Sequence, residues 1–150
     1  MRELPRQLSA DELAELFEGR TALVERLADR DDPLGATADD VVGELSEVEL
    51  VEALAAHPAI GAGRAALSAR SAAEQGFDAD TETLAELARL NRDYETRNGF
   101  RFVTFVDRRP KAQVLEELRE RVERPREEEL RRAARELVAI ARDRWRRSST

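Results

Sequence analysis

The stretch NGFRFVTFV at residues 98–106 decides the fold class of this chain. Its last seven residues form the one window whose aromatic and β-branched side chains are typical of a strand. A lone strand has no partner for its backbone groups, so we expect a buried extended or irregular segment packed by helices. Asn98 and Gly99 favour the left-handed conformation that ends helices, which predicts a helix directly before the segment.

Helix signals dominate on both sides of this segment. Asp80 is a candidate cap for the preceding helix, whose apolar face holds Leu84, Leu87, Leu90, Asn91 and Tyr94. Pro110 suits the first turn of the next helix, which we expect to run to about Glu123 before Pro125 breaks it. A last helix from about Arg126 is expected to bury Leu130, Ala134, Leu137, Val138 and Ala141.

The N-terminal half carries further caps. Ser9 precedes an acidic first turn, and apolar residues then recur at helical spacing as far as Asp-Asp-Pro at 31–33: Leu13, Leu16, Phe17, Leu23, Val24 and Leu27. Thr37 can cap a short helix through Leu45. Ser46-x-x-Glu49 is a capping box, and its helix must end near His57 because the next residue is proline.

These patterns predict an all-α, single-domain bundle of about seven to eight helices over residues 1–150. The sequence has no cysteine, which excludes disulfides, cysteine-ligated zinc and thiol catalysis, and its one histidine excludes a His-rich metal site. No apolar run approaches the roughly 20 residues of a membrane span. The N-terminus lacks the apolar core of a secretory signal and the C-terminus lacks a Ser-Lys-Leu address, so we expect a cytoplasmic protein.

Charge is unevenly distributed along the chain. Residues 1–100 carry 10 basic and 22 acidic side chains, whereas residues 101–150 carry 15 basic and 10 acidic ones. Of the 25 basic residues, 24 are arginine and the other is Lys111. Arg and Glu alternate through the C-terminal stretch, which is typical of a solvated helix face. A nucleic-acid surface on this stretch is the less favoured interpretation.

His57 is the first candidate for chemistry, because histidine titrates nearest neutrality. It follows a predicted helix end, where the imidazolium form is favoured, and precedes Pro58 and two glycines that let backbone approach a ligand. The plainer interpretation is a surface or capping histidine. From the residues alone, both remain open.

A second cluster is formed by Ser71, Glu74 and Gln75. If this stretch is helical, the three side chains share one face and can grip a polar heterocycle. A capping box with a solvated Gln75 explains the same spacing.

Two further features lie in the C-terminal half. The buried segment after Gly99 has backbone groups without ladder partners, and a ring of ureide type could bond them. Arg144 lies near the boundary of the buried stripe of the last helix. Spacing alone does not choose it among the neighbouring arginines.

Four motifs in this order resemble the OHCU decarboxylase family: HPAIG at 57–61, SAAEQ at 71–75, LNRDY at 90–94 and GFRFV at 99–103. The substrate of that family is 2-oxo-4-hydroxy-4-carboxy-5-ureidoimidazoline (OHCU), which is converted to (S)-allantoin in urate breakdown. The resemblance covers about residues 10–146. It implies an all-α homodimer that uses no metal or organic cofactor, with a small ureidoimidazoline substrate and neither nucleic acid nor membrane as a partner.

The resemblance also implies roles for individual residues. His57 is similar to the family's acid/base histidine, with Glu74 as its catalytic companion. The substrate-binding residues it implies are Pro58, Ser71, Glu74, Gln75, Phe102, Val103, Thr104, Phe105, Val106 and Arg144, with no metal ligand among them. Two departures stand out. Asn98 replaces an aromatic residue of the pocket wall, and Arg20-Thr-Ala-Leu23 replaces a Ser-Pro-Trp-like stretch that concerns packing or the dimer surface.

Two alternatives to this enzyme follow from the residues. The first is a non-enzymatic helical interaction module that touches nucleic acid through its Arg-rich C-terminal helix, and it predicts salt-dependent binding. The second is a related hydrolase of hydroxyisourate or allantoin. Allantoin hydrolysis usually needs a metal, and the single histidine argues against one.

Overall fold

The computed structural model describes residues 3–56 and 81–147. Within these two ranges the chain forms seven α-helices and no β-strand: α1 (Ala10–Phe17), α2 (Ala22–Ala28), α3 (Ala36–Glu44), α4 (Glu47–Ala55), α5 (Thr81–Asn98), α6 (Lys111–Arg121) and α7 (Arg126–Arg147). The all-α prediction is confirmed. In the same ranges, no helix combines the length and the apolar character that a bilayer crossing requires.

The capping signals place the helix starts correctly in two cases. Ser9 and Ser46 each accept a hydrogen bond from the backbone N–H three residues on, and the glutamates at those positions, Glu12 and Glu49, bond back. These reciprocal bonds satisfy N–H groups that a helix cannot pair internally. The backbone bond from Ser46 also holds the pKa of Glu49 below its ordinary value.

One predicted helix is two. The apolar periodicity runs without interruption to Leu27, but the structure ends α1 at Glu18, whose φ of 60° is left-handed. The hydroxyl of Thr21 then accepts a hydrogen bond from Val24 N–H and starts α2. The apolar side chains of both helices face the same core. Their helical spacing therefore continues along the sequence although the backbone turns between α1 and α2.

The start of α3 also differs from the prediction. Gly35 is the N-cap and Thr37 lies inside the first turn, so the expected threonine cap is wrong. The turn ahead of the helix decides this, because Gly35 N–H bonds the carbonyl of Asp32. A side chain on Gly35 would collide with the Asp32 carboxylate.

The longest helix, α7, lies at the centre and packs against α1, α3 and α4, while α5 and α6 pack together as a pair. Its predicted apolar stripe is confirmed, since all five residues are buried: Leu130, Ala134, Leu137, Val138 and Ala141. The predicted face of α5 is buried at four of its five positions. The exception is Leu84, which is 38% exposed.

Three arginines of α7 donate to carbonyl oxygens at the C-terminal ends of other helices: Arg126 to Asn98 of α5 (2.6 Å), Arg131 to Val42 and Leu45 of α3 (2.6 and 3.3 Å), and Arg144 to Leu16 of α1 (2.8 Å). Helix ends leave such carbonyls unpaired and favour a cation beside them. The interpretation of this helix face as solvated is therefore wrong for the buried Arg144, whereas Arg126 and Arg131 are partly exposed.

Removing one of these bonds should cost measurable stability. We expect Arg131→Met to lower the free energy of unfolding by about 1–3 kcal/mol, because two α3 carbonyls lose a charged donor. Urea unfolding followed by circular dichroism measures the change. Arg135→Met, an exposed site on the same helix, is the matched control. Equal stability of the two variants would contradict the capping role of Arg131.

Candidate active site

The segment from Phe100 to Val106 takes the irregular, buried course that the sequence predicts. It begins after Gly99, whose φ of 80° ends α5. Five of its seven residues are buried, and Arg101 and Phe105 are partly exposed. Because it forms no ladder, its backbone groups must find other partners.

Aromatic contacts anchor the start of the segment. The Tyr94 ring of α5 meets the Phe100 and Phe102 rings edge-on, with centroids 5.8 and 5.3 Å apart. The guanidinium of Arg121 lies over the Phe102 ring, 4.7 Å from its centroid. Such pairs add about 0.5–1.5 kcal/mol each beyond simple burial, so this end of the segment is firmly held.

A buried polar network surrounds Arg121, the residue at the end of α6. Its Nε donates to Glu129 Oε1 of α7 (2.8 Å), and Tyr94 Oη donates to the same oxygen (2.7 Å). The Arg121 and Glu129 side chains are both 0% exposed. Arg121 Nη1 also donates to the carbonyl of Val103 (2.9 Å), which ties the ion pair to the segment.

The environment of this network shifts two pKa values. Burial alone lowers the pKa of Arg121, but the facing carboxylate of Glu129 outweighs it and the net shift is upward. Burial, and then the hydrogen bond to Glu129, raise the pKa of the Tyr94 phenol far above its ordinary value. Tyr94 is therefore held as a neutral donor and Arg121 as a cation.

A second set of side chains holds the end of the segment. Glu136 Oε1 of α7 accepts from Thr104 Oγ1 (2.9 Å) and from Phe105 N–H (3.0 Å). Arg109 donates to the carbonyls of Phe105 (2.7 Å) and Val106 (3.0 Å). Carboxylate and guanidinium groups here replace the neighbouring strand that the segment lacks.

Glu117 of α6 joins the two sets. Its carboxylate accepts from Arg109 Nη1 (2.8 Å) and from Arg121 Nη1 (2.9 Å). Burial raises the pKa of Glu117, but its polar neighbours Thr104, Arg109 and Arg121 outweigh burial and the pKa lies below its ordinary value. Charged side chains therefore contact one another along the segment, from Arg121 at Val103 through Glu117 to Arg109 at Phe105 and Val106.

From the sequence, we expect the backbone groups of this segment to lack hydrogen-bond partners within the protein. The network supplies partners for several of them. Side chains already bond the carbonyls of Val103, Phe105 and Val106 and the N–H of Phe105, so these four groups are not left without a partner. Their contact with a ligand stays a prediction. The residues that bond them are not predicted from the sequence patterns. One signal was available: Arg121 continues the buried spacing of Val114 and Leu118, and a charge in an apolar register indicates a buried pair.

Arg144 lies apart from this network, eight residues beyond Glu136 and so about 12 Å along α7. It is buried, donates to Leu16 at the end of α1, and has Nη2 3.6 Å from Glu18 Oε2. Its predicted contact with an anionic part of a substrate stays a prediction.

His57, Pro58, Ser71, Glu74 and Gln75 lie outside the described residues. The described chain reaches Ala56, the C-cap of α4, so the predicted helix end before the histidine is confirmed.

The end of α4 lies close to the turn after α1. A Cβ built on Gly19 would lie 3.0 Å from the Cβ of Ala56, so the end of α4 abuts this turn. Glu18, the residue before that glycine, is the one that approaches Arg144. In residues 3–56 and 81–147, no three histidine or carboxylate side chains come close enough to hold a metal ion.

The structure shows the contacts of Asn98 and Arg20, the residues at the two departures from the family pattern. Asn98 is buried at the end of α5 and its Nδ2 donates to the carbonyl of Tyr94 (3.1 Å). Arg20 pairs on the surface with Asp11 and Glu25, both at 2.7 Å. The first residue therefore stabilises the helix that carries Tyr94, and the second links α1 to α2.

Comparison with known proteins identifies the class and then the family. The chain resembles two solved structures, at 24% identity in each case. A crystal structure of OHCU decarboxylase in the presence of (S)-allantoin matches with a TM-score of 0.72, over 89% of this chain and 94% of that one. A crystal structure of (S)-allantoin synthase matches with a TM-score of 0.66, over 90% of this chain and 47% of that one.

The family follows from the sequence itself. The model of the OHCU decarboxylase family matches residues 2–146, and the chain belongs to that family. A search of curated proteins gave no match. The family's activity is that of a carboxy-lyase, so the chain is assigned to this enzyme class and the resemblance seen in the four motifs is confirmed.

The raised phenol pKa predicts alkaline sensitivity. Tyr94 is the only tyrosine, so tyrosinate absorbance reports this residue alone. A folded-state pKa above the unfolded value of about 10 stabilises the protein below that pH, and the stabilisation is lost as the pH rises further. We expect the wild type to lose stability progressively as the pH rises above about 10, with tyrosinate appearing only on unfolding.

Tyr94→Phe is the control. It should lose about 1–3 kcal/mol at neutral pH, because Glu129 loses a donor, and should show a smaller alkaline loss than the wild type. The two proteins differ only in the phenol, so the difference between their alkaline losses reports its ionisation. Ionisation of Tyr94 near pH 10 in folded protein would contradict the network.

Proposed function

We propose that this chain decarboxylates OHCU to (S)-allantoin in purine catabolism, with the site residues described below. The observation that carries this proposal is the family match over residues 2–146. The fold shared with the crystal structure of OHCU decarboxylase supports it. One buried core runs through all seven described helices, which supports a single catalytic domain over residues 1–150.

The substrate explains why a chain without cysteine suffices for this reaction. Its carboxylate is attached to a carbon beside a C=N bond. When the C–C bond to the carboxylate breaks, its electron pair moves toward that C=N bond and CO₂ leaves. The substrate is therefore its own electron sink, and the protein has only to position the ring, stabilise shifting charge and deliver a proton to one face.

The proton transfer falls to His57 in this proposal, because it is the only side chain with an ordinary pKa near neutrality. Glu74 orients the imidazole or bonds the hydroxyl or ureido group of the substrate. Delivery of the proton to one face of the ring gives the (S) product. The position of Ala56 beside Gly19 supports a site near the end of α4, since His57 is the next residue in the chain.

We assign binding of the substrate ring to three parts of the chain: the residues after α4, the buried segment and the last helix. Ser71, Gln75 and Pro58 contact it from the chain that follows α4. Backbone groups of Phe102–Val106 not already bonded by side chains pair with ring N–H and C=O groups. Arg144 pairs with an anionic part of the substrate.

Several expectations accompany the proposal. We propose a homodimer and a cytoplasmic location, and a reaction without metal or organic cofactor, as the family resemblance implies. The alternative of a nucleic-acid module gains no support from α7. Three of its arginines are bonded to carbonyls within the protein.

Replacing the histidine tests the assignment. We expect His57→Asn to lower kcat by about 100-fold or more, because general acid–base catalysis contributes about 10²–10⁴-fold. OHCU generated freshly from urate and followed by circular dichroism measures formation of the chiral product. Spontaneous decay gives racemic allantoin, which provides the baseline.

Unchanged far-ultraviolet circular dichroism of the variant shows that the loss is chemical. Arg135→Met, exposed on α7, is a matched control and should keep the wild-type rate. An unchanged rate of (S)-allantoin formation in His57→Asn would overturn the histidine assignment. Wild-type protein that yields only racemic product would overturn the proposed function.

A further inference from the structure

We propose that Arg121, held by Glu129 and Tyr94, is a positioning residue that sets the affinity for substrate by fixing the backbone of Phe102–Val106. The inference rests on the proposed function, since it assumes that this segment binds the ring. It assigns a role to residues that none of the family-like motifs singles out, apart from the tyrosine of LNRDY.

The burial of the pair is the first argument. Arg121 and Glu129 are both fully buried, and Arg121 is among the largest completely buried side chains of the described chain. Apolar residues of similar volume would usually stabilise such a place equally well or better, because burying two charges costs desolvation. Stability alone therefore does not explain the pair, and a geometric role does.

The contacts of the guanidinium are the second argument. One nitrogen, Nη1, donates to Val103 O and to Glu117, while Nε donates to Glu129 and the flat face covers Phe102. A planar guanidinium holds these directions at once, whereas a lysine ammonium is a point charge on a flexible stem. Two successive residues of the segment are thereby placed relative to α6 and α7.

The continuity of the network is the third argument. From Glu117 the contacts pass to Arg109, which bonds Phe105 and Val106, and so the placement extends over residues 103–106. A segment that binds through its backbone depends on accurate placement, since a hydrogen bond weakens steeply when its distance or angle departs from the optimum. Arg121 acts on the substrate through this segment and does not take part in proton transfer.

The test replaces both charges together, because Arg121→Met alone would leave Glu129 buried without its cation. In R121M/E129Q the volume is largely kept and the glutamine can still accept from Tyr94, but Val103 O loses its donor. We expect KM for OHCU to rise about tenfold or more, with kcat within about twofold and its pH profile unchanged. Hydrogen exchange at the Phe105 amide, which donates to Glu136, should accelerate.

Arg131→Met is the matched control, because it also removes an arginine-to-carbonyl bond, in this case to Val42 and Leu45 at the end of α3 and not to the segment. It should lose stability but keep the KM of the wild type and the exchange rate at Phe105. Tyr94→Phe, which removes one bond to Glu129, should give smaller changes in the same direction. It serves as the test if R121M/E129Q does not fold.

The outcomes separate the two proposals. If the wild type forms (S)-allantoin and neither network variant changes KM or exchange more than Arg131→Met does, the positioning role is overturned. If the wild type forms no (S)-allantoin, the proposed function fails, and exchange at Phe105 still decides whether Arg121 fixes the segment. A changed pH profile of kcat would place Arg121 in the chemistry and overturn its assignment as a positioning residue.

Discussion

The Arg121–Glu129 ion pair is the interaction on which the arrangement around the buried segment Phe100–Val106 depends. It joins the end of α6 to the start of α7, receives Tyr94 from α5, and reaches the segment at Val103. Losing one member of a fully buried pair typically costs about 3–5 kcal/mol, because the other charge remains in a low-dielectric interior. A single interaction thus sets both how three helices meet and where the segment runs.

Local signals were sufficient for much of the fold. The capping boxes at Ser9 and Ser46, the helix end at Gly99 and the start of α7 after Pro125 each depend on chemistry within one helical turn. The break after α1 was missed because periodicity reports which side chains face the core, and both helices face the same one. Propensity cannot show that the backbone turns between them.

The candidate site was only partly predictable, for a different reason. The segment Phe102–Val106 was found from its composition and from the family motif, and its burial is confirmed at four of five positions. Its supports, such as Glu136 and Arg121, come from helices far along the sequence, and a charged residue carries no mark of its burial. The alternation of Arg and Glu predicts a solvent-exposed helix face, because exposed and buried ion pairs have the same local sequence pattern.

The carbonyl contacts of α7 have a consequence for the order of folding. Arg144 meets Leu16 across 128 residues of chain, and Arg131 meets Val42 across 89. During synthesis the early helices leave the ribosome long before the helix that completes their ends, and such distant closures are slow. The last carbonyls of α1 and α3 therefore gain their arginine donors only after the chain has been made as far as α7.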